Sequence, residues 1–182
     1  MYHALRKNSD LTGIASEILI FTPDECETII SMALQSDEKT NRALSKDDSI
    51  GSFQEYSIDE NKFSGLYKHI SKVFSVGNFL NFYYTGISLK IIRYRTDDFY
   101  APHTDWSIDR LRTKLSMLVQ LSESDDYTGS EAIIHAGPDS VSITQERGVG
   151  AVWPSWTLHE ATPVRSGERW ELVAYAEGSP FS

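Results

Sequence analysis

The chain is 182 residues long, with 40% hydrophobic and 24% charged residues and a net charge of −9. That length suits one domain with a full core and is short of two ordinary ones. The acidic balance argues against general binding to nucleic acid, whose phosphates demand a basic surface, and no apolar run approaches the ~20 residues that span a bilayer. Arg110, Arg112 and Lys114 form the one local basic cluster, read as a solvated loop. Cys26 is the single cysteine, which excludes an internal disulfide and a thiolate zinc site. The opening residues lack the apolar stretch of a secretory signal. The expectation is a cytoplasmic protein with neither nucleic acid nor membrane as partner and with its oligomeric state open.

Residues 17–21 read as a short strand, and a helix follows. Thr22 is a natural N-cap, Pro23 suits the first helical position, and Asp24 and Glu25 favour the positive end of the helix dipole. Ile29, Ile30, Ala33 and Leu34 then form one apolar stripe. Residues 59–76 carry Phe63, Leu66, Tyr67, Ile70, Val73 and Phe74 at helical spacing, which predicts a packing helix with no chemistry of its own. From residue 87 the character changes to strands and turns. Strands are expected at 88–95, 115–121, 132–135, 141–144, 151–153 and 170–176. The pairs Asp125-Asp126, Thr128-Gly129, Gly137-Pro138, Arg147-Gly148 and Ser166-Gly167 supply the turns between them. Many short strands after a helical opening predict a mainly β sandwich or double-sheet jelly roll with flanking helices. No Pro/Gly-rich linker divides the sequence. Residues 1–182 are read as a single domain, with N-terminal helical support over about 1–86 and the β core over about 87–178.

His103 and Asp105 are separated by one residue, so on an extended segment both side chains share a face and can point at one ion. His159, in a strand-end segment, supplies a third ligand once the sheet closes. Two histidines and a carboxylate with the remaining positions open suit non-haem iron(II) oxygen chemistry. Tyr94, Phe99, Tyr100 and Trp106 surround His103 in the sequence, whereas His3, His69 and His135 read as ordinary hydrogen-bonding residues. The run from Pro163 to Arg169 reads as a strand end, a tight turn and a return, bringing Arg169 beside the strand of His159. A buried guanidinium needs an anionic partner, and its planar fork matches a carboxylate, here that of a co-substrate.

Three co-linear segments, IIRYRTDDFYAPHTDW, TKLSMLVQLSESDDYTGSEAIIH and GVGAVWPSWTLHEATPVRSGERWELVAY, resemble the iron(II)/2-oxoglutarate dioxygenase superfamily. The likeness is to its prolyl 4-hydroxylase-like branch, of bacterial and bacteriophage type, and the helical opening FTPDECETII fits that group. The resemblance implies a double-stranded β-helix core, a cupin-like jelly roll. It implies His103, Asp105 and His159 as iron ligands and Arg169 as partner of the far carboxylate of 2-oxoglutarate. It places Tyr94 in the co-substrate pocket and Gln120 where relatives often carry a tyrosine that hydrogen-bonds the co-substrate. It also implies O2 as second co-substrate, ascorbate as a reductant, and hydroxylation of an unactivated C–H bond with succinate and CO2 as co-products. A prolyl residue in a peptide or protein is the leading substrate, and free proline or another small metabolite is the alternative.

Three departures from the family pattern stand out. Asp97 replaces the usual glycine after Thr96, and tolerates a left-handed backbone better than most residues. Gly129-Ser130-Glu131 replaces Gly-Gly-Glu. Glu171 stands two residues after Arg169, where relatives often carry a small hydroxyl residue. It would share a strand face with Arg169, and the expectation is that Lys90 or Arg165 pairs with it and leaves Arg169 free. Tyr100 and Trp106 are the candidates for substrate contact, Trp153 and Trp156 read as core, and residues 107–113 and 43–56 read as lids. The alternatives of another class are a catalytically inactive metal-binding jelly-roll module and, with no general base in view, a zinc hydrolase.

Overall fold

The computed structural model describes residues 7–11, 15–35, 39–43, 51–76, 84–107, 110–136 and 139–179. Strands β1 (Lys7–Leu11) and β2 (Ala15–Leu19) pair antiparallel and lead into α1 (Pro23–Leu34). Thr22 caps this helix as expected. Its Oγ1 accepts from the Glu25 N–H at 3.3 Å, and the Glu25 carboxylate accepts from the Thr22 N–H at 2.9 Å, a reciprocal capping box. Strands β3 (Lys39–Ala43) and β4 (Gly51–Ser57) precede α2 (Ser64–Val76). The second helix begins later than its apolar spacing predicts because Asp59 closes a separate turn. Its Oδ1 accepts from the Lys62 N–H and its carbonyl from the Phe63 N–H.

The rest is strand: β5 (Gly86–Arg95), β6 (Phe99–His103), β7 (Thr113–Gln120), β8 (Tyr127–Gly129), β9 (Ala132–Ala136), β10 (Asp139–Ser142), β11 (Val149–Pro154), β12 (His159–Ala161) and β13 (Val164–Glu177). Hydrogen-bonded neighbours run β1-β2-β11-β7-β13-β5-β4-β6-β12-β9-β10, with β3 on β4 and β8 on β13. This antiparallel sheet curls into a half-barrel, the expected jelly-roll class. Among the described residues, no helix is long and apolar enough to cross a membrane.

Strand alternation decides what each face carries. Leu115, Met117 and Val119 of β7, Leu89 and Ile91 of β5, and Leu172, Ala174 and Ala176 of β13 join Cys26, Ile29, Ala33, Ile70, Val73 and Phe74 of the helices in one core. The intervening residues point into the half-barrel. There Ile92, Tyr94 and Val173 pack with Phe53, Ala161 and Val164, while Leu118 packs with Ile134, Ala151 and Trp153. The inward face of β13 is the unusual one, since it carries Arg169 and Glu171 fully buried.

Two expectations change. Residues 51–56, read as part of a lid, are strand β4, which pairs Gln54 with Arg93 of β5 and Gly51 with Tyr100 of β6. Buried Phe53 and Tyr56 anchor it in the sheet, so the N-terminal part contributes strands as well as helices. Residues 44–50 of that reading lie outside the described residues. The second change is that Ser166-Gly167 does not close a hairpin. It bends one continuous strand, so that β13 leaves β8 after Gly167↔Tyr127 and joins β5 at Glu168↔Arg95. Gly167 takes φ +81°, and an added Cβ would lie 2.0 Å from the Asp126 carbonyl oxygen. Gly167→Ala should therefore destabilise the fold by at least about 1–3 kcal/mol, the usual cost of such a backbone with a side chain, read as a lower urea midpoint.

Candidate metal centre and anion socket

Strand β12 lies between β6 and β9, and its register sets His159 directly opposite His103. Asp105 follows two residues after His103, past the strand end. Its position is fixed through the backbone, since the N–H groups of Asp105 and Trp106 both donate to the Ser155 carbonyl, at 2.9 and 3.0 Å. Ser155 is itself held by its N–H to the Lys114 carbonyl and its hydroxyl to the Thr113 carbonyl. The three side chains thereby converge. His159 Nε2 lies 3.3 Å from Asp105 Oδ2, His103 Nε2 lies 3.9 Å from Asp105 Oδ1, and the three ligand atoms fall within 4.8 Å of one another.

The rings are set for a cation. His103 Nδ1 faces the Ala101 carbonyl at 2.8 Å and His159 Nδ1 faces the Thr157 carbonyl at 2.9 Å. A carbonyl only accepts, so each Nδ1 carries a proton and each Nε2 is the ring atom turned to the shared space. Burial, and then the neighbouring His159, lower the His103 pKa to about 4, which keeps that ring neutral. Tyr100 stacks on His103 at 3.6 Å between centroids, and Trp153 meets His159 edge-on at 4.9 Å. The buried Ser116 hydroxyl donates to Asp105 Oδ2 at 2.6 Å. Two imidazoles and one oriented carboxylate, without a thiolate, fit iron(II) with positions left for other ligands.

These groups open on a cavity of about 30 Å³ lined by Ile92, Leu118, Val173 and Tyr175 among others, with Tyr94 and Glu171 in its wall. Arg169 lies behind that wall. Its Nε donates to Gln120 Oε1 at 3.0 Å, its Nη1 to Ser130 Oγ at 3.4 Å, and its Nη2 sits 2.5 Å from Glu171 Oε2. Burial opposes the guanidinium charge, but Glu171 and then Tyr127 and Tyr94 outweigh it and keep the group protonated. The expectation that Glu171 pairs with Lys90 or Arg165 is overturned. Lys90 Nζ is 3.1 Å from Glu55 of β4, and Arg165 points outward as an exposed residue. The cation nearest Glu171 is the one on its own strand face.

Tyr94 and Tyr100 line the cavity, while Gln120 spends its amide on the Arg169 guanidinium and on the Tyr127 hydroxyl. Trp106 is half-buried beside the metal motif, Trp153 lines the cavity rather than filling only core, and Trp156 is 43% exposed. His69 and His135 make the ordinary hydrogen bonds expected of them, to the Ile20 carbonyl and to Ser140 and Glu160, and His3 lies outside the described residues. The sequence reading missed Ser116, Tyr175, Tyr127 and Ser130. Alternation from Gln120 and from Arg169 was the available signal for the first two. Replacing His103 or Asp105 by Ala should abolish tight iron(II) binding, and Ser116→Ala should weaken it roughly 10- to 100-fold, as loss of a carboxylate's supporting hydrogen bond does. Anaerobic calorimetry measures both, and unchanged affinity in His103→Ala would contradict the ligand set.

The family model of the 2OG-Fe(II) oxygenase superfamily matches residues 89–177. A PKHD-type hydroxylase of Shewanella sp. (strain ANA-3) is 33% identical over 144 residues, covering 76% of this chain and 60% of that one. The chain spans about half the length of the curated relatives it matches. Among solved structures, a Pseudomonas putida prolyl-4-hydroxylase shares the fold with a TM-score of 0.76 at 20% identity, covering 93% of this chain and 96% of that one. A Trichoplax adhaerens prolyl hydroxylase, in complex with a peptide fragment of the hypoxia inducible factor oxygen degradation domain, gives 0.75 at 18% identity, covering 92% and 85%. Family match, hydroxylase relatives and shared architecture converge: residues 89–177 carry the sequence pattern of the 2OG-Fe(II) oxygenase superfamily, and the chain has the fold of the two prolyl hydroxylase structures.

Proposed function

We propose that this chain is an iron(II)- and 2-oxoglutarate-dependent dioxygenase that hydroxylates an unactivated C–H bond, with a prolyl residue of a peptide or protein as substrate. The observation that carries the reading is the convergence of His103, Asp105 and His159 on a largely apolar cavity whose wall residue Glu171 is in contact with the buried Arg169. Iron(II) held there would supply, with O2 and 2-oxoglutarate, the oxidising power that the side chains of a protein lack, and succinate and CO2 would be the co-products.

The chain's own residues supply geometry and environment. The Nδ1 anchors on Ala101 and Thr157 fix both imidazoles in the ligating tautomer, and Ser116 fixes the carboxylate. Ile92, Leu118 and Val173 keep the cavity wall apolar, which excludes bulk water and strengthens charge interactions inside. Arg169 is the residue we assign to the far carboxylate of the co-substrate, with Gln120 and Ser130 aiming its fork and Tyr94 beside it. Tyr100, stacked on His103 and facing the cavity, and Trp106, just past the metal motif, are the residues we assign to substrate contact. The prolyl substrate is carried over from the names of the hydroxylase relatives and from the peptide seated on the Trichoplax enzyme.

Anaerobic titration with iron(II) and then 2-oxoglutarate should give the visible charge-transfer band of a chelated co-substrate. Arg169→Ala should raise the 2-oxoglutarate concentration needed by roughly tenfold or more, the scale of a lost charge-assisted pair. Prolyl peptides should then release succinate above the peptide-free background. Bound iron with no band at saturating 2-oxoglutarate would count against the co-substrate.

A further inference from the structure

Arg169 does not stand free in the socket assigned to the co-substrate. Glu171, two residues along the same inward face of β13, lies between the guanidinium and the cavity, so the cavity wall presents a carboxylate rather than the cation. Both side chains are about 2% exposed. Resting on the co-substrate reading above, we propose that Glu171 is an affinity-determining residue that occupies the anion socket of Arg169, so that a dicarboxylate binds there only by displacing it.

Four features of the site carry this. The fork of Arg169 is already committed at Nε to Gln120 and at Nη1 to Ser130, with the Tyr127 hydroxyl a further partner, and Glu171 covers its Nη2 edge. The contact is close but poorly aimed: Glu171 Oε2 makes no directed hydrogen bond among the described residues although it lies 2.5 Å from Nη2. A close ion contact without alignment is what a better-placed carboxylate can replace. The other oxygen is held by Tyr94, whose hydroxyl donates to Oε1 at 3.1 Å. Burial, and next the charge of Glu171, keep that phenol protonated and therefore a donor. Finally, the cavity of about 30 Å³ has room for little more than a water or two and none for a five-carbon diacid while Glu171 stays in place. A second carboxylate brought against it would meet a like charge in a weakly screening interior.

The test compares wild type, Glu171→Gln and Glu171→Ser, each loaded anaerobically with iron(II), by calorimetric titration with 2-oxoglutarate. Both substitutions remove the competing charge and should tighten binding by at least about tenfold, a difference of about 1.4 kcal/mol. Glutarate, which has both carboxylates but no keto group, should raise the Tm of the variants by several degrees and leave that of wild type unchanged. If the serine variant fails to fold around an unpaired guanidinium, the near-isosteric glutamine variant carries the comparison. Binding no tighter in the variants than in wild type, or equal stabilisation of all three by glutarate, overturns the proposal. When wild type already binds 2-oxoglutarate tightly and Arg169→Ala does not, only the role of Glu171 falls. When all forms hold iron and none binds 2-oxoglutarate, the co-substrate reading falls with it.

Discussion

The metal centre depends on the register of one very short strand. His159 meets His103 because β12, three residues long, lies antiparallel to β6 with those two residues directly opposed. A slip of one residue would turn His159 to the other face of the sheet and scatter the cluster. So short a strand cannot hold register by itself. It is gripped from the other side by β9, where His159 lies opposite Ile134 and Ala161 opposite Ala132, and Ala161 is buried among Phe53, Ile92 and Tyr94. Asp105 sits beyond the ladder, so the Ser155 carbonyl does for it what strand pairing does for the histidines.

The strand opposite carries the other half of the site. Facing outward, β13 is ordinary core, with Leu172, Ala174 and Ala176 packed toward the helices. Facing inward it presents Arg169, Glu171, Val173 and Tyr175 in turn, and three of these four are polar. Burying a guanidinium and a carboxylate side by side is a poor route to stability, because desolvation offsets most of their attraction. Apolar residues of similar volume would serve the core as well. The pair therefore makes sense as part of a site, and the hydrogen bonds from Arg169 to Gln120 and Ser130 and from Tyr94 to Glu171 belong to the same arrangement.

Much of this was legible from residue patterns, and the failures have physical causes. The capping box of α1, the apolar stripes, the strands β5, β7, β9 and β11 and the second half of β13 follow from local chemistry and alternation. The short strands β6, β8 and β12 depend instead on long-range pairing, and Thr128-Gly129, read as a turn, lies in β8. The left-handed turn at Asp97 is there as well, with φ 72°. His103 and Asp105 could be placed together because their separation is local, and His159 because the sheet must close. The partner of Glu171 was misjudged through a chain of consequences. Residues 51–56 looked like a loop, so β4 was absent from the reading, and Glu55 on β4 is what engages Lys90. With Lys90 taken, the nearest cation left for Glu171 on its own face is Arg169. Similarly, Ser166-Gly167 has the composition of a hairpin turn. Only long-range pairing with β8 and then β5 reveals that the chain bends and continues.

The same geometry explains why a charge can be exchanged in the socket at modest cost. Arg169 is fully buried and its neighbours Gln120, Ser130 and Tyr127 are neutral, so the site requires one carboxylate to remain balanced. Without any, the protein would hold an uncompensated guanidinium, the most expensive of the available states. Glu171 fills that requirement from within the chain. An incoming carboxylate can fill it equally well, and the charge of the socket is the same before and after. What differs is the fate of Glu171, which must keep its Tyr94 hydrogen bond or find water. The energy of that relocation, set against the strength of the arginine clamp, then decides how tightly a diacid is held.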